Sequence, residues 1–170
     1  DYRSPITERL ENFGIKVLYL GKKQGLDLVT IGKLIKIMRL YNIKIVHTHR
    51  YVMQYAIPAA IIARVPVRVH TVHNIANKEV DKSRRKMAKV FYKFFHVKPV
   101  SISPIITDTI SAEYNLNASE IPMVFNGTNL KKCLVKTTYD AGTVFQFIHI
   151  GRMSYQKNHE LILRVAAKLK

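Results

Sequence analysis

A parallel β-sheet covered by helices on both faces is the fold class this sequence predicts, and three observations predict it. Short apolar, β-branched segments alternate along the chain with segments whose apolar residues recur at helical spacing. The strand segments are close to continuously apolar, as strands buried on both faces must be. Hydrophobic residues make up 48% of the 170, enough for a packed core and too many for a disordered chain.

Ile15 to Leu20 is apolar and β-branched and is predicted as the first strand. Leu28, Ile31, Leu34, Ile35 and Met38 then follow helical spacing, with Lys33, Lys36 and Arg39 on the other side, and Asn42 ends that helix. Ile43 to His47 is the second strand. Val52 to Arg64 is the second helix, which Pro58 either starts or kinks. Val67 to Val72 is a strand, and Glu79 to Phe95 a helix with Met87, Val90, Phe91 and Phe94 on one face. Pro99 to Ser101 forms a short strand. Ser103 and Pro104 then supply an N-cap and a first-turn proline for a helix running to about Tyr114. Ile121 to Phe125 is a strand ending in the Asn126-Gly127 turn. Lys131 to Gly142 is polar and aperiodic, a linker. Thr143 to Ile150 is a strand, and Asn158 to Lys170 a helix with Leu161, Ile162, Val165 and Leu169 inward.

The charge balance, 28 Lys and Arg against 11 Asp and Glu, gives +17 and implies anionic company: nucleic acid, an acidic membrane surface or phosphorylated small molecules. Cys133 is the only cysteine, which excludes an intrachain disulfide and a thiolate metal cluster and suits a reducing compartment. The longest apolar run, Ala56 to Ala63, falls far short of the ~20 residues a bilayer-spanning helix needs. The chain reads as one entered midway, with no initiator Met and no stop signal on its last helix.

Parallel sheets bind ligands beyond the carboxyl ends of their strands, so the strand-end loops are the candidate sites. Gly151 to Asn158 is the first. Gly151 permits a sharp turn, Arg152 offers a planar fork of donors, Lys157 a point charge, and the following helix start a partial positive charge. A diphosphate site and a solvated basic turn both fit that spacing. His73, ending Val69 to Asn74, is the second: its imidazole could donate to a sugar hydroxyl or to developing negative charge, or serve structurally by bonding backbone. The segment His47-Thr48-His49 invites a metal, but the two rings are expected to diverge, and no metal site is assigned. Residues 77–99 carry eight Lys and Arg against two acids. That helix is expected to pack on the core, its basic face attracting an anionic membrane as a secondary role.

Five landmarks stand in order: Ile45 to His49, Arg64 to Asn74, Ser101 to Ser103, Val124 to Gly127, and Ile150 to Arg152 with Lys157 and Asn158. Together they resemble the retaining GT-B glycosyltransferases of the group 1 (family 4) type, which build capsular polysaccharides, exopolysaccharides, lipopolysaccharide and glycolipids. The resemblance implies two Rossmann-like domains facing a cleft, acceptor bound mainly by the first and nucleotide-sugar by the second. It implies a partial acceptor-side domain at residues 1–130, a linker at 131–142 and the start of the nucleotide-sugar domain at 143–170. Under it Gly151, Arg152 and Lys157 contact the donor diphosphate, His73 is the catalytic residue beside the donor sugar, and Asn126 and Gly127 form the interdomain turn. No cofactor is implied: the nucleotide-sugar, a UDP-sugar by family habit, is a substrate, and the basic pair replaces a metal. The implied location is cytoplasmic, peripheral on the inner face of the membrane.

Under the resemblance the family's first strand with its Gly-rich loop is expected before Asp1 and its glutamate pair well beyond Lys170, and Asn129 stands where Asp is usual. The chain is therefore expected to be a fragment without transferase activity of its own. Three alternatives remain at this level: a GT-B-related sugar-nucleotide epimerase, a basic nucleic-acid-binding module, and a non-catalytic gene remnant. No nucleic-acid motif or exposed aromatic row supports the second, and nucleic acid is not expected as a partner.

Overall fold

The computed structural model describes residues 3–133 and 147–169, and the chain folds as two compact units, Asp1–Gly127 and Thr128–Lys170. The first unit is an α/β structure built on a parallel sheet of three strands, β1 (Ile45–His49), β2 (Val67–Thr71) and β3 (Val97–Val100), in that spatial order. Helices α1 (Pro5–Asn12), α2 (Val29–Leu40), α3 (Met53–Ile62), α4 (Ala76–Glu79), α5 (Lys82–Phe94) and α6 (Pro104–Tyr114) flank it, a Rossmann-like arrangement. β1 pairs with β2 so that Ile45 faces Val67 and His49 faces Thr71, and β2 pairs with β3 from Arg68–Val97 to Thr71–Val100.

The core has two clusters, and α3 serves both. Met53 and Ile57 join Val72, Ala88, Phe91, Tyr92, Val97, Ile110 and Tyr114 in one. Ala56, Ala59 and Ala60 join Met38, Val46 and Val65 in the other, with Ile31, Leu34 and Ile35 of α2 packed against it. Alanines let α3 lie close to both α2 and the sheet. Pro58 sits inside α3, where its missing N–H leaves the Gln54 carbonyl without its usual partner. Helix ends follow one device: Asn42, Arg64, His96 and Asn115 all take left-handed φ, between 48° and 60°, at the ends of α2, α3, α5 and α6. Ile43 N–H then bonds Met38 O at 2.9 Å, and Val65 N–H bonds Ala60 O at 2.8 Å, closing the last turns of α2 and α3.

Several elements differ from the sequence expectation. Ile15 to Leu20 forms no strand: no described strand lies beside it to complete a ladder. β1 starts at Ile45, not Ile43, because the Ile43 N–H is spent closing α2. Val97, not Pro99, opens β3, and of the expected strand at Ile121 to Phe125 only Met123 pairs, through a parallel bridge to Ser101. The helix predicted from Glu79 to Phe95 breaks at Val80 and Asp81. Asp81 caps α5 by accepting from Arg84 N–H at 3.0 Å. The phase set by that cap buries Ala88, Phe91 and Tyr92, while Val90 and Phe94 are exposed. Tyr92 stands edge-on to Tyr114 with centroids 5.0 Å apart. Helix α6 agrees to the residue, Ser103 accepting from Ile106 N–H at 3.4 Å.

In the second unit, a 3-10 turn spans Leu130–Lys132 and α7 spans His159–Lys168. Most of the expected linker and residues 143–146 of the expected last strand lie outside the described residues, and Phe147 to Ile150 are without regular structure. Leu161, Ile162, Val165 and Leu169 are not inward: they are exposed along an apolar groove shared with Phe147 and Ala166.

Ile110 has no solvent exposure and lies mid-core, so Ile110→Ala is expected to cost about 2–5 kcal/mol. Loss of the Ser103 cap in Ser103→Ala should cost only about 1 kcal/mol. Urea unfolding of the two variants checks both the sizes and their order.

Candidate active site: a histidine cluster and a basic loop

Side chains alternate along a strand, so residues two apart share a face. In register, His47 and His49 of β1 lie on the same face as Thr71 of β2, and His73 follows two residues later. The rings accordingly converge. His47 and His49 have centroids 4.4 Å apart, and His49 and His73 5.1 Å, each pair tilted by 37°. The expectation that His47 and His49 diverge is thus corrected: opposite faces belong to adjacent residues, not alternate ones. His49 Nδ1 lies 2.8 Å from His73 Nε2, and His47 Nε2 lies 2.7 Å from Thr71 Oγ1, both hydrogen bonds. Among the described residues no group of three or more His, Cys, Asp or Glu could hold a metal ion.

The opposite face holds the structural counterpart. Thr48 Oγ1 lies 2.8 Å from His70 Nδ1 and 3.2 Å from the Val69 carbonyl, and both Thr48 and His70 are buried. Burial, with smaller repulsion from His49, His73 and His47, brings the His70 pKa down to about 3. The His49 pKa is also lowered, first by desolvation and then by repulsion from His47 and His73. His49 and His70 are therefore held toward neutral imidazoles, which can both donate and accept.

Two further residues shape this strand end. Arg50, directly after β1, takes a left-handed φ of 54° and turns the chain into the 3-10 turn Arg50–Val52 that precedes α3. Glu79, last residue of α4, accepts the His73 backbone N–H through Oε1 at a long 3.4 Å, while its Oε2 is buried without a partner. Neither was singled out by motif. The alternation rule applied to His47, His49 and Thr71 is the sequence signal that would have found the cluster.

In the second unit, Asn158 takes a left-handed φ of 42° and caps α7, its Oδ1 accepting from Leu161 N–H at 3.3 Å. Lys157 lies in the 3-10 turn Tyr155–Lys157 just before it. A Cβ placed on Gly151 would stand 3.1 Å from His149 Nε2 and 3.2 Å from Lys157 Cγ, so glycine lets the Lys157 stem lie against the backbone there. Gly151, Arg152 and Lys157 are all exposed. Asn126 and Gly127 are exposed and without regular structure at the end of the first unit.

Residues 1–132 match Glycosyltransferase Family 4. The chain belongs to that family. A glycosyltransferase from Rickettsia africae ESF-5, known from its crystal structure, is similar in fold, with a TM-score of 0.58 at 17% identity. The similarity covers 76% of this chain and 34% of that one, so this family 4 chain spans about a third of that relative's length. No curated protein matches it. The family match takes in the histidine cluster and ends before Gly151.

His70 gives a pH prediction. From its ordinary value of 6.5 downward the unfolded chain takes up a proton that the folded chain refuses until about pH 3, so stability present above pH 6.5 is lost through that window. Between pH 7 and 4.5 the wild-type chain should lose roughly 2–3 kcal/mol more than His70→Asn, as read from denaturant unfolding at each pH.

Proposed function

We propose that the intact protein is a retaining GT-B hexosyltransferase that moves a sugar from a nucleotide-sugar donor to a saccharide or lipid-linked acceptor. The observation that carries this is the family match over residues 1–132, within which His73 stands at the ligand-binding end of a parallel sheet. The acceptor-side domain is taken as residues 1–130, the linker as 131–142 and the opening of the donor domain as 143–170. Polysaccharide or glycolipid biosynthesis, of the capsular type, is the setting proposed, with a UDP-sugar as donor.

In this scheme His73 contacts the donor sugar near the reaction centre, where a neutral imidazole can donate to a hydroxyl or to charge that grows in the transition state. Arg152 and Lys157 meet the diphosphate, the Arg by a planar fork and the Lys by a point charge. Gly151 supports them by leaving room for the Lys157 stem. Charge on the departing nucleotide is then met by cations and helix-end amides, so the scheme needs no metal. Asn126 and Gly127 serve as the turn into the linker. The loop at 151–158 enters through its residue types and geometry, since the family match ends at residue 132.

The basic helix α5 adds a second element. Its core side is committed to Ala88, Phe91 and Tyr92, leaving Lys82, Lys86, Lys89 and Lys93 outward with exposed Phe94 at its end. That face suits peripheral contact with an anionic membrane on the cytoplasmic side, each cation near the surface contributing about 1 kcal/mol. Among the described residues no helix is long and apolar enough to cross a membrane.

In the intact protein, Arg152→Ala or Lys157→Ala should lower turnover by about 100- to 1,000-fold with the fold kept. Initial-rate assays with a panel of UDP-sugars, beside circular dichroism of each variant, test this. Wild-type turnover in both variants would remove the diphosphate role, and absence of sugar transfer by the intact wild type would remove the function.

A further inference from the structure

His49 is exposed and has no assigned part in the proposed reaction, yet its Nδ1 lies 2.8 Å from His73 Nε2. A hydrogen bond between two imidazole nitrogens needs one to carry a proton and the other to be bare. This fixes more than an orientation. If His49 carries its proton on Nδ1, His73 Nε2 must be bare, which puts the His73 proton on Nδ1. If His49 Nδ1 is bare, both rings carry the proton on Nε2. The two neutral rings are therefore locked into the same tautomer, and a change in one requires a change in the other. With Nε2 occupied, Nδ1 is the His73 nitrogen left for a ligand, and among the described residues it has no other hydrogen-bond partner.

We infer that His49 is a positioning residue for His73: their shared hydrogen bond sets which way the His73 ring faces and ties the donor or acceptor role of its outward Nδ1 to the tautomer of His49. This role rests on the proposed transferase function of His73; the pairing itself does not.

Four titratable or charged groups stand around the pair. His47 stacks at an angle on His49 and is itself bonded to Thr71. His70 lies on the other face of β2, Arg50 follows His49 in sequence, and Glu79 Oε1 reaches only the His73 backbone N–H. Of these only Glu79 is anionic, and its Oε1 accepts the His73 backbone N–H and not the ring. Doubly protonated rings would set two N–H groups against each other and break the bond. One added proton leaves a donor facing an acceptor, so the bond is lost only when both rings are protonated.

The test has two arms. In the full 170-residue chain, 15N NMR of the imidazoles at neutral pH should show His49 and His73 in matched tautomers. In His49→Phe, which keeps a ring but no bond, the tautomer balance of His73 should change from that of the wild type. His49→Asn, which keeps a polar atom near the Nδ1 position, should restore it. Unmatched tautomers in the wild type, or a His73 spectrum unchanged in His49→Phe, would overturn the pairing. In the intact protein, His49→Phe should lower kcat about 10- to 100-fold, by analogy with loss of the partners that orient metal-bound histidines. Donor KM should change little, the acid limb of the pH profile should shift, and His49→Asn should regain most of the rate. Unchanged kcat in His49→Phe beside an inactive His73→Ala would overturn the positioning role while the transferase function stands. Full turnover in His73→Ala would overturn the role together with the function assigned to His73, even with matched tautomers seen by NMR.

Discussion

The in-register parallel pairing of β1 with β2 governs where each functional side chain of the first unit points. Because His49 faces Thr71 across that ladder, one face collects the exposed His47 and His49 with the buried Thr71, and His73 continues the row. The buried face collects Thr48 and His70. A slip of one residue would exchange the two sets, placing His47 and His49 in the core and Thr48 at the surface. The Thr48–His70 hydrogen bond opposes such a slip, since a buried imidazole without its partner is costly.

Electrostatics and packing agree on the state of this cluster. Desolvation first, and then the crowding of neighbouring histidines, disfavours an added proton on His49 and His70. Burial acts in the same direction on His70 and more strongly. The outcome is that His49 and His70 favour their neutral forms beside a basic surface. Helix α3 supports this from below, its small residues letting one element fill two core clusters and hold the strands that carry the histidines.

The second unit works on a different principle. It buries no side chain among its described residues, and the apolar face of α7 is exposed along its length. Its order comes from local devices: the left-handed Asn158 cap, the 3-10 turn before it, and a glycine that accommodates the Lys157 stem. Such devices are readable in sequence because they act within a few residues, which is why the Asn158 cap was legible there.

By itself the sequence determined the α/β class, the extent of α6 from its Ser103-Pro104 start, the helical stripe of α2 and the His73 position at a strand end. These depend on interactions between near neighbours and on periodicity, which the chain carries in its own order. Tertiary structure decided the rest. Whether Ile15 to Leu20 becomes a strand depends on a partner at its edge, and where β1 begins depends on which group takes the Ile43 N–H. The phase of α5 depends on a break at Asp81. His49 became a partner of His73 only through the register of two strands more than twenty residues apart, a distance no local pattern spans.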